Sequence, residues 1–139
     1  MWITGLYTAR LWFILYDMSK VLVAEDDTLL ASLLVEQLKK EGYETRAAFD
    51  GMATVDEVKK WHPDVLLLDI LMPGKNGWEV LEAIRADGTT AATPVVIIVS
   101  NLSAQDDMDK AQQMGVKYFL VKATTSLTEI VAKVKGVLG

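Results

Sequence analysis

The chain has 139 residues, 51% hydrophobic and 24% charged, a balance that fits one domain with an ordinary core and excludes wholesale disorder. Its 14 basic and 19 acidic side chains leave a net charge of -5, which argues against a direct nucleic-acid surface, because such surfaces carry a basic stripe. With no cysteine and one histidine, His62, disulfides, thiolate metal sites and histidine clusters are excluded, and a hard cation would need oxygen ligands.

Residues 1–17 read as a separate hydrophobic N-terminal extension, crowded with Trp2, Leu6, Tyr7, Leu11, Trp12, Phe13, Ile14, Leu15 and Tyr16 and interrupted by Arg10. A membrane span needs about 20 mainly apolar residues, and a secretory signal wants a basic start and small residues before the cleavage site; neither pattern is clean. Three readings stay open: an upstream extension of a start at Met18-Ser19-Lys20, an arm that docks on the domain or on another copy, and a membrane anchor. Residues 18–139 form the domain proper.

From Lys20 the chain alternates regularly. Val21 to Ala24 is a short buried strand ending in Glu25-Asp26-Asp27, and Leu29, Leu30, Leu33, Leu34 and Leu38 then recur at helical spacing until Gly42 closes the helix. Tyr43 to Phe49 is a weaker second strand, broken by Asp50-Gly51, and Met52 to Trp61 is the second helix. His62-Pro63 ends it, since the residue before proline is pushed out of α geometry; His62 reads as a loop residue, not a base. Asp64 to Asp69 is an apolar run closed by a carboxylate, followed by a Pro/Gly loop through Gly77. Trp78, Val80, Leu81 and Ile84 mark a third helix, and 87–93 a loop. Val95 to Val99 is the fourth strand, ending at Ser100-Asn101; Ser103 is the expected cap of a fourth helix running through Met114, with Gly115 as its stop. Tyr118 to Val121 is the fifth strand, ending at Lys122, and Leu127, Ile130, Val131, Val134 and Leu138 stripe the last helix.

Five strands alternating with five helices predict an α/β fold with a parallel sheet covered on both faces. Parallel strands share one carboxyl edge, so Glu25/Asp26, Asp69, Ser100 and Lys122 converge there from four strand ends. Three carboxylates brought together repel unless a cation neutralises them, and magnesium suits such a set because it takes one or two carboxylates and keeps several waters. Adding Lys122 as a fixed cation and Ser100 as a neutral donor describes a pocket for a tetrahedral anion attached to, or approaching, a carboxylate. Taken singly, each residue also has a bland reading: a helix cap, a turn hydroxyl or a solvated lysine.

"KVLVAEDD" at Lys20 to Asp27, "PDVLLLDILMPGKNG" at Pro63 to Gly77, "PVVIIVSN" at Pro94 to Asn101 and "GVKYFLVKA" at Gly115 to Ala123 together resemble the receiver domain of two-component response regulators, of the stand-alone, chemotaxis-regulator-like kind. The resemblance implies a doubly wound five-stranded sheet in the flavodoxin-like order 2-1-3-4-5. By position, Asp69 resembles the aspartate that accepts a phosphoryl group from a histidine kinase, Asp26 the carboxylate bound to Mg2+, and Glu25 its companion, often through water. The Leu71 backbone carbonyl would be a further metal ligand. Ser100 matches the hydroxyl that bonds a phosphoryl oxygen, Lys122 the lysine that pairs with the phosphoryl group, and Phe119 the aromatic switch residue that follows Ser100.

The same resemblance implies a cytoplasmic protein that is no enzyme beyond its own magnesium-dependent phosphorylation and dephosphorylation. Its donor would be a sensor histidine kinase or phosphotransfer protein. A chain ending at Gly139 is expected to signal to a separate partner through the face of the fourth helix, fifth strand and fifth helix, which could also form a homodimer. Three departures stand out. Ala123 replaces the usual proline after the lysine, so the bond is either trans with a rearranged loop or strained. Asn101 replaces a common small residue. Leu71 and Leu102 are apolar where a side chain could orient a hydrolytic water, which implies a long-lived aspartyl phosphate. Among rivals, an aspartyl phosphohydrolase would want an acid where Leu71 stands, and a flavin carrier a phosphate loop where Glu25-Asp26-Asp27 repels phosphate. A degenerate receiver acting as a phosphorylation-independent interaction module is the alternative, motivated by Ala123.

Overall fold

A computed structural model describes residues 18–86 and 94–139; the expectations for residues 1–17 and for the loop of 87–93 lie outside the described residues. The elements follow in the order β1 (Lys20–Ala24), α1 (Thr28–Lys40), β2 (Glu44–Ala48), α2 (Gly51–Trp61), β3 (Val65–Leu68), α3 (Gly77–Ala86), β4 (Val95–Ser100), α4 (Gln105–Gln113), β5 (Tyr118–Val121), a 3-10 turn (Lys122–Thr124) and α5 (Leu127–Leu138). All five strands are parallel, in the order β2-β1-β3-β4-β5, so the expected doubly wound sheet is the observed one.

Strand side chains alternate between two cores, as the pleat requires. Leu22, Ala24, Leu66, Leu68, Val96 and Ile98 pack with Val55, Val58 and Trp61 of α2, Val80, Leu81 and Ile84 of α3, and Ala111 of α4. Val21, Val23, Val65, Leu67, Ile97 and Val99 pack on the other side with Ala31, Leu34 and Leu38 of α1 and Ile130, Val131 and Val134 of α5. Burial on both faces explains why these strands read as continuous apolar runs rather than as alternating patterns. Trp61 and Trp78 serve packing: Arg46 lies 4.6 Å over the Trp61 ring and Lys110 4.7 Å over that of Trp78.

Helix ends follow local chemistry. Asp27 caps α1 by accepting from Leu29 N–H (3.1 Å) and Leu30 N–H (3.2 Å), Asp50 caps α2 at Ala53 N–H (2.8 Å), and Ser126 caps α5 at Glu129 N–H (3.1 Å). Gly42 (φ 94) and Gly115 (φ 74) close α1 and α4 with left-handed turns. In each, the next residue's N–H reaches back to close the motif, Tyr43 to Leu38 O at 3.2 Å and Val116 to Ala111 O at 3.0 Å. His62 leaves α geometry ahead of Pro63, as predicted, but by turning left-handed (φ 54) while its N–H still bonds Val58 O at 3.1 Å.

One expectation is corrected. Ser103 does not cap α4: the cap is Ala104, whose side chain makes no capping bond, and the helix runs Gln105–Gln113. Two acids in the first turn, Asp106 and Asp107, favour the positive end of the helix dipole and stand in for the missing cap.

Leu66 is fully buried in the central strand, whereas Leu33 on α1 is 41% exposed. Leu66→Ala should therefore destabilise the domain by about 2 to 5 kcal/mol and Leu33→Ala by less than about 0.5 kcal/mol, read as the shift in urea midpoint at constant slope.

Candidate functional site

The sheet register assembles the site. Ala24 pairs with Leu68 across β1 and β3, and Asp69 N–H extends that ladder to Ala24 O (3.0 Å) while Glu25 N–H bonds Ala48 O (3.0 Å). Glu25 and Asp69 therefore emerge side by side at the carboxyl edge. Ser100 pairs with Val121 across β4 and β5, which brings Lys122 to the same edge from the far side of β4. Five polar side chains are buried among the described residues, and three of them, Glu25, Asp69 and Ser100, stand at this edge. Buried polar groups need partners, and here each has one.

Lys122 is the centre of the cluster. Its Nζ lies 2.5 Å from Glu25 Oε1 and 2.7 Å from Asp69 Oδ2. Each carboxylate uses its second oxygen locally: Asp69 Oδ1 accepts from Leu71 N–H at 3.1 Å and Glu25 Oε2 from Asp27 N–H at 3.1 Å. Carboxylate oxygens of Glu25, Asp26 and Asp69 lie within 4.8 Å of one another, with Asp26 exposed and the other two buried. An all-oxygen trio with one exposed member fits a hard divalent cation that keeps part of its water. The peptide bond after Lys122 is trans, since no described residue has a cis bond, and the chain passes directly into the 3-10 turn. The lysine reaches both acids without the usual proline.

Burial pushes the Glu25 carboxyl up to about 7, with the charge of Asp69 adding to the rise against hydrogen bonds from Lys122 and the Asp27 N–H. Burial would by itself lower Lys122, but its hydrogen bonds to Asp69 and Glu25 outweigh that and leave its pKa raised. A simple ion pair lowers its acid as it raises its base. Glu25 departs from this because desolvation exceeds what its share of Lys122 returns.

The remaining candidates sit around this cluster. Ser100 is fully buried at the end of β4, and the hydrogen bond that its hydroxyl makes is a long one from Leu102 N–H, 3.5 Å. Phe119 is half-buried and packs at the edge of the core that includes Leu66, Leu68 and Ile98. Leu71 follows Asp69 in the loop with its side chain 55% exposed, while Asn101 is exposed. Leu29, Phe49, Met52 and Leu71, four of the six exposed large hydrophobics among the described residues, belong to segments at this carboxyl edge. Apolar side chains gathered round a buried acidic centre suit contact with a partner. What sequence reading missed is the direct grip of Glu25 on Lys122. Its signal is weak, because two adjacent acids at a strand end do not announce which one turns inward.

In metal-free buffer the rise of Glu25 makes a signed prediction. Folded Glu25 keeps its proton to about pH 7, whereas unfolded Glu25 loses it near 4.5, so between those values the native state binds more protons and stability falls as pH rises. Relative to Glu25→Gln, wild type should lose on the order of 1 to 3 kcal/mol of unfolding free energy from pH 4.5 to pH 8. Parallel urea titrations with chelator test this; a difference that stays flat or moves in favour of wild type refutes it.

Known proteins show the same frame. Over residues 21–135 the chain matches the response regulator receiver domain family. The receiver domain of Francisella response regulator 1452 is 28% identical, with a TM-score of 0.78 over 86% of this chain and 96% of that one. A DNA-binding response regulator of the LuxR family from Staphylococcus aureus is 29% identical, with a TM-score of 0.77 over 88% of this chain and 100% of that one. A CheY-like receiver domain protein from Methanospirillum hungatei shares the fold, at 20% identity and a TM-score of 0.77 over 88% of this chain and 94% of that one. With the family matched across all five strands and the acidic edge assembled from their ends, the chain belongs to the response regulator receiver domain family.

Proposed function

We propose that residues 18–139 act as a phosphoacceptor receiver, with Asp69 taking a phosphoryl group from the phosphohistidine of a sensor kinase or phosphotransfer protein. The observation that carries this reading is the buried Asp69 carboxylate held 2.7 Å from Lys122 beside two further acids. An Asp69 oxygen forms the new P–O bond as the P–N bond to the donor imidazole breaks. Glu25, Asp26, Asp69 and the Leu71 carbonyl would hold magnesium, which when bound would supply neutralising positive charge to the site. Lys122 follows the charge from the carboxylate to the phosphoryl group, which adds about -1.5 to -2. The Ser100 hydroxyl exchanges its long bond from Leu102 N–H for one that it donates to a phosphoryl oxygen, and Phe119 turns into the space this leaves.

That rearrangement is a shift between two packings, and it alters the surface of α4, β5 and α5. A downstream protein or a second receiver reads that face; nucleic acid is not contacted directly. The domain turns over no other substrate, and a kinase donor places it in the cytoplasm. Among the described residues no helix is long and apolar enough to cross a membrane. The alternative, a degenerate receiver that works without phosphate, draws on Ala123. The short Lys122 to Asp69 contact favours the acceptor reading over it.

Incubation with acetyl phosphate and magnesium, read by intact mass, should add one phosphoryl group to wild type and none to Asp69→Ala. Once excess donor is removed, the phosphate should persist for minutes or longer, because Leu71 and Leu102 offer no polar group to orient a water. Loss within seconds would contradict the assigned role of those two leucines, and equal labelling of the Asp69 variant would sink the acceptor assignment.

A further inference from the structure

Gly51 opens α2 directly after the Asp50 cap, at the carboxyl edge of the sheet but not among the acidic trio. Its φ is not positive, so backbone freedom does not explain a glycine there. Space does. A Cβ at Gly51 would lie 1.8 Å from the Lys75 carbonyl oxygen, 2.6 Å from its carbon and 2.7 Å from its Cβ. The first turn of α2 thus rests on the backbone of the loop that runs from Asp69 to the start of α3.

That loop is short and held at few points. Leu71 N–H bonds Asp69 Oδ1 (3.1 Å), Met72 N–H and Gly77 N–H both bond Ile70 O (3.1 and 2.9 Å), and Asn76 and Glu79 cap α3 reciprocally at 3.3 and 3.0 Å. Its first half is anchored by Ile70 and Met72, both buried in the core; beyond them, Lys75 lies against Gly51. The opposing surface is firm: α2 is tied down by Asp50 at Ala53 N–H, by the Thr54 hydroxyl on Asp50 O (2.8 Å), and by buried Val55, Val58 and Trp61. When the two surfaces are forced apart, the loop is the part that gives.

We propose that Gly51 is a positioning residue for the metal and phosphoryl site: its missing side chain lets α2 brace Lys75 and so sets the Leu71 carbonyl and the Asp69 carboxylate in register. The inference rests on the reading of those two groups as magnesium ligands. Relieving a contact of 1.8 Å to beyond 3.0 Å needs a displacement of more than about 1 Å, the scale on which a misplaced site loses up to about a hundredfold in activity.

The test is an amide-resonance titration of the full chain with magnesium chloride. Gly51→Ala should move the amide signals of Leu71 and its loop neighbours before any metal is added, and weaken the magnesium Kd by about tenfold. Val58→Ala, which loosens the buried face of α2 about two turns along from Gly51, should leave the Kd unchanged despite a lower urea midpoint. Asp50→Ala, a milder release of the same brace, decides the matter if Gly51→Ala does not fold, with an expected weakening of about two- to threefold. Unchanged affinity in both Gly51→Ala and Asp50→Ala overturns the brace, as does an equal loss in Val58→Ala. A wild type whose Glu25, Asp26 and Asp69 signals ignore magnesium overturns instead the metal reading beneath it.

Discussion

One half-buried lysine shared by two buried carboxylates sets the terms for this site. Lys122 Nζ touches both Glu25 and Asp69, and neither acid has more than 4% of its surface in water. Removing charges from water is expensive, and pairing returns that energy only with good geometry and with every remaining oxygen bonded. Here both conditions hold, because the Leu71 and Asp27 N–H groups take the oxygens that Lys122 leaves. One cation still cannot fully satisfy two anions at once. Burial raises the Glu25 carboxyl to about 7, with the charge of Asp69 adding to the rise, and an edge with two acids to one lysine is receptive to further positive charge.

The sheet makes such an arrangement tolerable. Two cores bury the strands on both faces, so the apolar runs supply stability while the strand ends are left to polar chemistry. Parallel pairing then places residues 25, 69, 100 and 122 on one edge through ladder hydrogen bonds, with no side-chain contact needed to align them. The rigid part of the molecule positions the site and the loops complete it, which is the usual division of labour in α/β proteins.

Much of this is legible in the residues. Apolar runs bounded by Gly, Pro and acids locate four of the five strands, with β2 the weaker signal, and their alternation with helices dictates parallel pairing. The strand-end polar residues follow from that topology alone. What escapes is whatever depends on contacts between distant loops. Ser103 looks like a cap, yet the dipole is met by Asp106 and Asp107 instead. Glu25 reads as a companion of the metal ligand, and nothing in that reading announces its direct contact with Lys122. Gly51 looks like a strand breaker, and only its separation from Lys75 exposes a steric requirement.

The turn after Lys122 shows how a local departure can leave a site intact. A proline there would fix the backbone and remove a donor. With Ala123 the bond is trans and the chain enters a 3-10 turn, closed by Thr125 N–H on Lys122 O at 3.5 Å and by the Thr124 hydroxyl on Val121 O at 3.4 Å. Both bonds are long, so they do little to hold the lysine backbone. What holds the side chain is its own pair of carboxylates. Lys122 is therefore positioned from its charged end, by the two carboxylates it pairs with, and the turn itself need not hold it.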